Sequence, residues 1–194
     1  YFLQPIFNCC LINLEDMLDN GTVINGKLIE TPKSFKVACI VTSQIIAAVA
    51  SNQYGEQSVD IKCLGKYLRK SYIKLKNKLE EKYNGKLSDD IIEDIANQSL
   101  QAELISGVQT MQYQLNTLMT TNGQSPFVTL FLHLEKDDPY IKENAMIIEE
   151  ILRQRYQGIK NEAGVYVTPA FPKLVYVLDE FNSLKGGEYD YLTK

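Results

Sequence analysis

The chain has 194 residues, of which 45% are hydrophobic and 23% charged, and its formal net charge is −4. This composition predicts a soluble protein of one domain or a little more. The acidic balance offers no basic surface for a nucleic acid, and no apolar run is long enough to cross a membrane, so we expect neither partner. The four cysteines lack CxxC spacing and no signal region precedes them, which indicates reduced thiols, no metal site and a cytoplasmic location.

The first part of the chain predicts a strand, a hairpin and a helix. An apolar strand is expected over residues 6–14 and runs into a short helical turn. Two Asn-Gly turn signals bracket residues 22–24, a spacing that is typical of a small hairpin. A long amphipathic helix follows at about 34–52, with Ser34 as its N-cap.

The rest of the chain predicts further helices and two strands. In order, these are helices at about 60–83 and 88–118, a strand at 126–134, a helix at 139–157 and a strand at 173–178. The strand–helix–strand pattern is typical of a parallel α/β barrel or sheet, where functional residues lie in the loops at the strand ends. Three long helices precede the second predicted strand, whereas strands and helices alternate regularly in an eight-stranded α/β barrel. These helices indicate a helical insertion or a layer available to a partner subunit.

Two polar loops precede the predicted later strands. In one, Asn122 and Gln124 offer side-chain amides to a substrate, and Gly123 allows a close backbone approach. In the other loop, Thr168 would line the opposite side of the same substrate site. The residues alone leave the alternative open that Asn122-Gly123 is an ordinary turn and that Thr168 merely enters a strand.

Cys9 is the first candidate for chemistry. A cysteine at a strand end can act as nucleophile, ligand, disulfide former or hydrogen-atom donor, or it can simply be a small buried hydrophobe. Cys10 faces the other side of a strand and is interpreted as structural. Cys39 and Cys63 fall on predicted helices and are assigned to packing. His133 is the only histidine, so a His-based triad or metal site is not expected.

A second set of residues suits a nucleotide. It consists of Glu30, Lys33, Gln44 and Lys74. Triphosphates need cationic partners and are favoured at helix N-termini, where Lys33 stands, and an amide such as that of Gln44 suits a base edge. The alternative is a set of solvated residues on helix surfaces.

Several motifs resemble one family. The run over 7–18 (FNCCLINLEDML), TTNGQSPFVT over 120–129 and TPAFPKLVYVL over 168–178 resemble the class III, glycyl-radical, anaerobic ribonucleoside-triphosphate reductases. The resemblance covers nearly the whole chain in the family's order. It implies an α/β fold that is part of a ten-stranded barrel of the glycyl-radical and ribonucleotide reductase type, with a helical dimerisation and effector layer. The implied divisions are about 1–32 (first strand and hairpin), 33–118 (helical effector and dimer region) and 119–194 (strand–helix–strand barrel segment).

The resemblance also implies residue roles. Cys9 matches an active-site cysteine on the first barrel strand, which is expected to donate hydrogen at the ribose 2′ carbon. The substrate would be bound near Asn122, Gly123, Gln124 and Thr168. A deoxynucleoside triphosphate effector would be bound at a dimer interface by Glu30, Lys33, Gln44 and Lys74. Lys74 needs a short alignment gap. The chain departs from the family at Glu56, where a second glycine often follows Gly55.

The family mechanism requires parts that this sequence does not contain. The glycyl radical, the thiyl-cysteine loop and the zinc site would lie elsewhere in a parent protein, so the chain is expected to be an internal fragment and inactive alone. The implied partners are a nucleoside triphosphate substrate, a dNTP or ATP effector, a second copy in a homodimer and a radical-SAM activating enzyme. The alternatives are a non-catalytic nucleotide-binding or dimerisation module and another glycyl-radical enzyme.

Overall fold

A computed structural model describes residues 8–53, 55–119 and 125–194. The strands are β1 (Cys10–Ile12), β2 (Thr22–Ile24), β3 (Lys27–Ile29), β4 (Gln57–Asp60), β5 (Val128–Leu132), β6 (Ile159–Lys160), β7 (Tyr166–Val167) and β8 (Lys173–Tyr176). The helices are α1 (Leu14–Asp19), α2 (Phe35–Ala50), α3 (Gly65–Tyr83), α4 (Asp89–Thr117), α5 (Ile141–Gln157) and α6 (Glu180–Ser183), with short 3₁₀ turns at Lys62–Leu64 and Asp190–Thr193.

The main sheet has four parallel strands in the order β1–β4–β5–β8. Each strand pairs with the one that precedes it in the main sheet. Parallel neighbours need long crossovers, and helices α1 to α5 lie within these connections. Two antiparallel hairpins, β2–β3 and β6–β7, complete the described strands. The expected α/β class is therefore confirmed.

The two faces of the sheet differ in chemistry and in cover. The face packed by helices, here called the covered face, carries Gln57, Val59, Val128, Leu130 and Leu132, all of them buried. The other face, here called the open face, carries Leu11, Ser58, Asp60, Thr129, Phe131, Lys173 and Val175. Leu11 is 77% exposed, and among the described residues no helix lies over this side chain. Alternation along the strands produces this separation.

The helices pack closely where α4 crosses α2. A Cβ atom on Gly107 of α4 would lie 2.7 Å from the ring of Phe35, the first residue of α2. The Phe35 side chain is fully buried. Glycine at this position lets the two helices approach closely, so the long α4 helix joins the core that supports the sheet.

The sequence predicted α2, α4 and α5 to within about two residues at each end, and it predicted the β2–β3 hairpin. It was wrong at β4, since a helix was expected from about residue 60 and no strand was predicted before it. Gln57–Asp60 pairs between β1 and β5 as a central strand. The β6–β7 hairpin was also missed, and the expected strand over 126–134 is shorter, at Val128–Leu132.

Candidate functional site

Cys9 lies at the amino end of the sheet, one residue before β1, and it is exposed. The next residue enters the sheet, because the Cys10 amide donates to the Glu56 carbonyl at 3.1 Å. The Cys10 side chain is half-buried against the helix-covered core. Strand alternation therefore directs Cys10 into the core and leaves Cys9 on the opposite side.

Glu56 stands beside this segment, one residue before β4. Its carboxylate accepts a hydrogen bond from the Thr129 hydroxyl of β5, and it lies 3.4 Å from the ammonium of Lys173 on β8. The hydrogen bond from Thr129, with a further contribution from Lys173, lowers the pKa of the Glu56 carboxyl. A charged group thus joins three strands at the amino end of the open face.

Aromatic rings complete this corner. The rings of Phe127 and Phe171 lie 4.3 Å apart, and the Lys173 ammonium lies 5.7 Å from the centre of the Phe127 ring. Both phenylalanines precede strands of the main sheet by one or two residues. The corner therefore combines a thiol, a carboxylate, an ammonium and aromatic faces, a mixture that suits a polar organic ligand.

Gly55 determines how closely the Cys9 segment approaches β4. A Cβ atom on Gly55 would lie 1.5 Å from the carbonyl oxygen of Asn8 and 2.8 Å from its side-chain oxygen. No side chain can occupy that space unless the backbone moves. The sequence analysis noted Glu56 only as a departure from the family, because nothing in the local pattern reveals a contact with residue 8.

The predicted substrate loops are only partly described. Asn122, Gly123 and Gln124 lie outside the described residues, and residues 125–127 lead into the amino end of β5. Thr168 is exposed, directly after β7 and five residues before β8 begins. The predicted catalytic residue Cys9 and the one described substrate-binding residue, Thr168, therefore both lie before strands of the parallel sheet.

The predicted effector residues are all exposed. Gln44 lies on an exposed side of α2, whereas Lys33 precedes this helix by two residues. Glu30 follows β3 directly. Lys74 lies on α3, less than one turn beyond Ser71, whose hydroxyl contacts the start of α2. The structure thus places Lys74 near the start of α2, the end that Lys33 precedes.

The start of α2 does not offer the free amides that the sequence argument assumed. The Phe35 amide donates to the Ser71 hydroxyl at 2.8 Å, and the Lys36 amide donates to the Glu103 carboxylate at 3.2 Å. The Ser34 hydroxyl accepts from the third amide, that of Val37. This part of the prediction was wrong, because side chains from α3 and α4 already occupy the helix N-terminus.

The carboxyl end of the open face holds a second charged group. Lys62 pairs with Glu135 at 2.7 Å, and His133 Nδ1 lies 3.6 Å from both Asp60 and Glu135. The hydrogen bond from Lys62 lowers the pKa of Glu135. An open pocket of about 340 Å³, lined partly by Asp60, Lys62 and Cys63, adjoins this group. Because these charges contact one another, we interpret the group as structural.

The remaining cysteines pack in the core. Burial raises the pKa of the Cys39 thiol far above its usual value, and it raises the pKa of Cys63 to about 12. Neither thiol is available as a thiolate near neutral pH. Their assignment to packing is confirmed.

Within residues 8–53, 55–119 and 125–194, no three or more metal-binding side chains are grouped to hold an ion. In the same ranges, no helix has the length and apolar character needed to cross a membrane.

The fold and this corner define an α/β protein with an exposed thiol at the amino end of a parallel sheet. The chain belongs to the anaerobic ribonucleoside-triphosphate reductase family, whose sequence profile matches residues 1–194. It is 38% identical to the enzyme of that name from Escherichia coli, 35% to that from Enterobacteria phage T4 and 34% to that from Haemophilus influenzae. Each match covers 96% of this chain. The chain spans 25–29% of the length of these relatives.

Proposed function

We propose that the chain is the part of an anaerobic ribonucleotide reductase that carries the hydrogen-donating cysteine. The reaction converts ribonucleoside triphosphates to deoxyribonucleoside triphosphates, so the protein is an oxidoreductase. The observation that carries the proposal is the exposed Cys9 thiol at the amino end of the open face, beside the Glu56 corner.

In this reaction the ribose 2′ hydroxyl leaves as water, and the Cys9 S–H supplies the hydrogen atom that replaces it. The second electron and proton of this two-electron reduction come from an external reductant, formate or a dithiol, whose oxidation completes the turnover. The radical that starts the chemistry belongs to a glycyl residue outside this chain. The chain itself holds the thiol at a strand end, where the backbone is fixed by the sheet. Residues 122–124 and Thr168 bind the substrate from the loops that enter β5 and β8.

The open face is the proposed interior of a ten-stranded barrel. Four parallel strands in sequential order, covered on one side by helices, form the kind of unit from which a barrel wall is built. The polar character of the open face also supports this role. The segments of about 1–32 and 119–194 then belong to the barrel wall. Residues 33–118 form the effector and dimer layer, except that β4 lies in the wall.

The effector site is proposed on the exposed side of α2 and on the residues just before this helix. Lys33 and Lys74 bind the triphosphate of a dNTP or ATP, and Gln44 contacts the base. Glu30, at the end of the β2–β3 hairpin, accepts a hydrogen bond from a sugar hydroxyl. Because the backbone amides at the start of α2 are occupied, the anion is held by the lysine side chains alone. A homodimer contact along this helical layer and a radical-SAM activating enzyme complete the proposed assembly, which is cytoplasmic.

The test of the catalytic assignment compares the two neighbouring cysteines in the full-length parent protein. Cys9→Ser is expected to abolish deoxynucleotide formation, because the hydroxyl O–H bond is too strong to donate a hydrogen atom in place of the thiol. Cys10→Ala is expected to retain turnover and to lose about 1 kcal/mol of stability, because its half-buried side chain contributes packing only. Both are measured by deoxynucleotide formation under anaerobic conditions and by thermal unfolding. Turnover by Cys9→Ser would contradict the assignment.

The effector assignment is tested by calorimetric binding of dATP, dGTP, dTTP and ATP to the parent dimer. Lys33→Ala is expected to weaken binding of the preferred deoxynucleotide by about 1.5–3 kcal/mol, the usual contribution of a hydrogen bond to a charged group. Lys86→Ala is the matched control, since Lys86 is an exposed lysine that follows the end of α3, twelve residues beyond Lys74. Equal loss in both variants would refute a specific site at Lys33.

A further inference from the structure

We propose that Gly55 and Glu56 are positioning residues for Cys9, which fix the thiol-bearing backbone against three strands of the sheet. The inference rests on the proposed role of Cys9 and adds the residues that place it. Three independent contacts carry it: a backbone approach at Gly55, a backbone hydrogen bond at Glu56 and a side-chain anchor at Glu56.

The Gly55 contact limits how far the Cys9 segment lies from β4. The space that a Cβ atom would need is filled by the backbone of Asn8, whose carbonyl oxygen would lie 1.5 Å away. Real Cβ contacts are never that short, so any other residue at position 55 displaces residue 8. Cys9 is the next residue along the chain, and it would move with its neighbour.

The Glu56 backbone makes the next contact. Its carbonyl accepts the Cys10 amide at 3.1 Å, which is the first rung of the β1–β4 pairing. Cys10 pairs with Gln57, so the same register continued by one residue places Cys9 beside Glu56. The position of Cys9 along the strand direction is therefore set by residue 56.

The Glu56 side chain holds this backbone to the rest of the sheet. Its carboxylate accepts from the Thr129 hydroxyl, which is buried, and pairs with Lys173 at 3.4 Å. Thr129 and Lys173 are themselves partners in the β5–β8 ladder. A glycine at position 56 would leave these two side chains without the carboxylate and would free the segment that carries Cys9.

The sheet provides a matched control at its other end. Lys62 and Glu135 form a comparable lysine–carboxylate pair at the carboxyl end of the open face, with no backbone contact to Cys9. Glu56→Gln and Glu135→Gln each remove one charge, keep the side-chain size and keep an amide oxygen as acceptor. A general effect of weakening a sheet ion pair would appear in both variants.

The experiment uses the full-length parent protein and measures the alkylation rate of each cysteine by iodoacetamide, resolved by peptide mass spectrometry. Glu56→Gln is expected to increase the Cys9 rate about two- to fivefold. Gly55→Ala is expected to increase it by about tenfold or more, because the backbone must shift. Both variants are expected to lower kcat for reduction while leaving KM for the nucleotide unchanged. Glu135→Gln is expected to match the unsubstituted protein in the Cys9 alkylation rate, in kcat and in KM.

The outcomes separate the two proposals. Unchanged Cys9 alkylation in Glu56→Gln, or an equal change in Glu135→Gln, overturns the positioning role. If Gly55→Ala fails to fold, Glu56→Gln decides alone, since it introduces no steric conflict. A changed Cys9 rate in Glu56→Gln supports positioning even if Cys9→Ser retains turnover. In that last case the catalytic assignment fails and the positioning of the thiol stands.

Discussion

The covered and open faces of the sheet share the same four strands but meet different requirements. On the covered face, Leu130 is 1% exposed and lies among buried aliphatic side chains from the helices. On the open face, the adjacent Phe131 is only partly buried, and charged side chains stand at both ends of the strands. The covered face forms part of the hydrophobic core, and the open face presents polar and charged side chains that the strands hold in place.

This difference explains where a reactive group can be placed. Buried thiols such as Cys39 have a strongly raised pKa, because burial disfavours the thiolate. Cys9 avoids that environment by lying on the other side of the chain from Cys10. A single step along a strand thus moves a cysteine from a packing role to an accessible one.

The largest expected effect tests whether the two faces really differ in packing. Leu130→Ala is expected to cost about 2–5 kcal/mol of unfolding free energy, because it leaves a cavity in the core. Phe131→Ala, at the next residue, is expected to cost clearly less, since its ring is partly in solvent. Urea denaturation of the purified protein gives both values. Equal losses would show that the open face is covered in solution.

A middle-sized effect is expected at a polar contact on the covered side, between α1 and α3. Asp19 pairs with Lys66 and accepts a hydrogen bond from the buried Tyr67 at 2.8 Å. Burial alone would raise the pKa of Asp19, but the hydrogen bonds from Lys66 and Tyr67 outweigh it, and the pKa is lowered. Asp19→Asn is expected to cost about 1–2 kcal/mol at neutral pH.

The pH dependence follows from the lowered pKa of Asp19. The carboxylate stabilises the folded state fully above the pKa of an unfolded aspartate, about 3.9. The contribution is lost as pH falls through the lower pKa of the folded state. The stability difference between the native protein and Asp19→Asn should therefore shrink only under acidic conditions. A difference that persists unchanged down to pH 2 would contradict the assignment.

The smallest expected effect is at the carboxyl end of the open face. Glu135→Gln removes the pair with Lys62, and both side chains are more than a third exposed, so we expect a loss of about 0.2–1 kcal/mol that weakens in high salt. The pKa of Lys62 is raised and that of Glu135 is lowered. The stability contributed by the Lys62–Glu135 pair should therefore be constant between about pH 4.3 and about pH 10.4, the pKa values of glutamate and lysine in an unfolded chain. It should decrease below and above this range. Thermal unfolding at several pH values and salt concentrations measures it.

Strong periodic patterns made the helices predictable from the sequence. The apolar spacing of α2 and the Ser34 cap gave its limits closely, and the vicinal cysteines were assigned to opposite sides by strand alternation. β4 was missed because Gln57, Ser58 and Asp60 are polar. A central strand with one face open lacks the continuous apolar run by which buried parallel strands are recognised.

Long-range contacts account for what the sequence could not predict at the site. The close approach of Gly55 to Asn8 joins residues 47 positions apart, and the Glu56–Thr129 contact joins residues 73 positions apart. The occupied N-terminus of α2 depends on Glu103, which lies two helices later in the chain. Propensity and spacing describe neighbours along the chain, so they do not report such contacts.

The strand order β1–β4–β5–β8 has a consequence for synthesis on the ribosome. Each later strand of the main sheet is synthesised after the neighbour with which it pairs. No strand has to be inserted between two strands that are already paired. The sheet can therefore grow at one edge in the order of translation, with a single exposed growing edge at each stage.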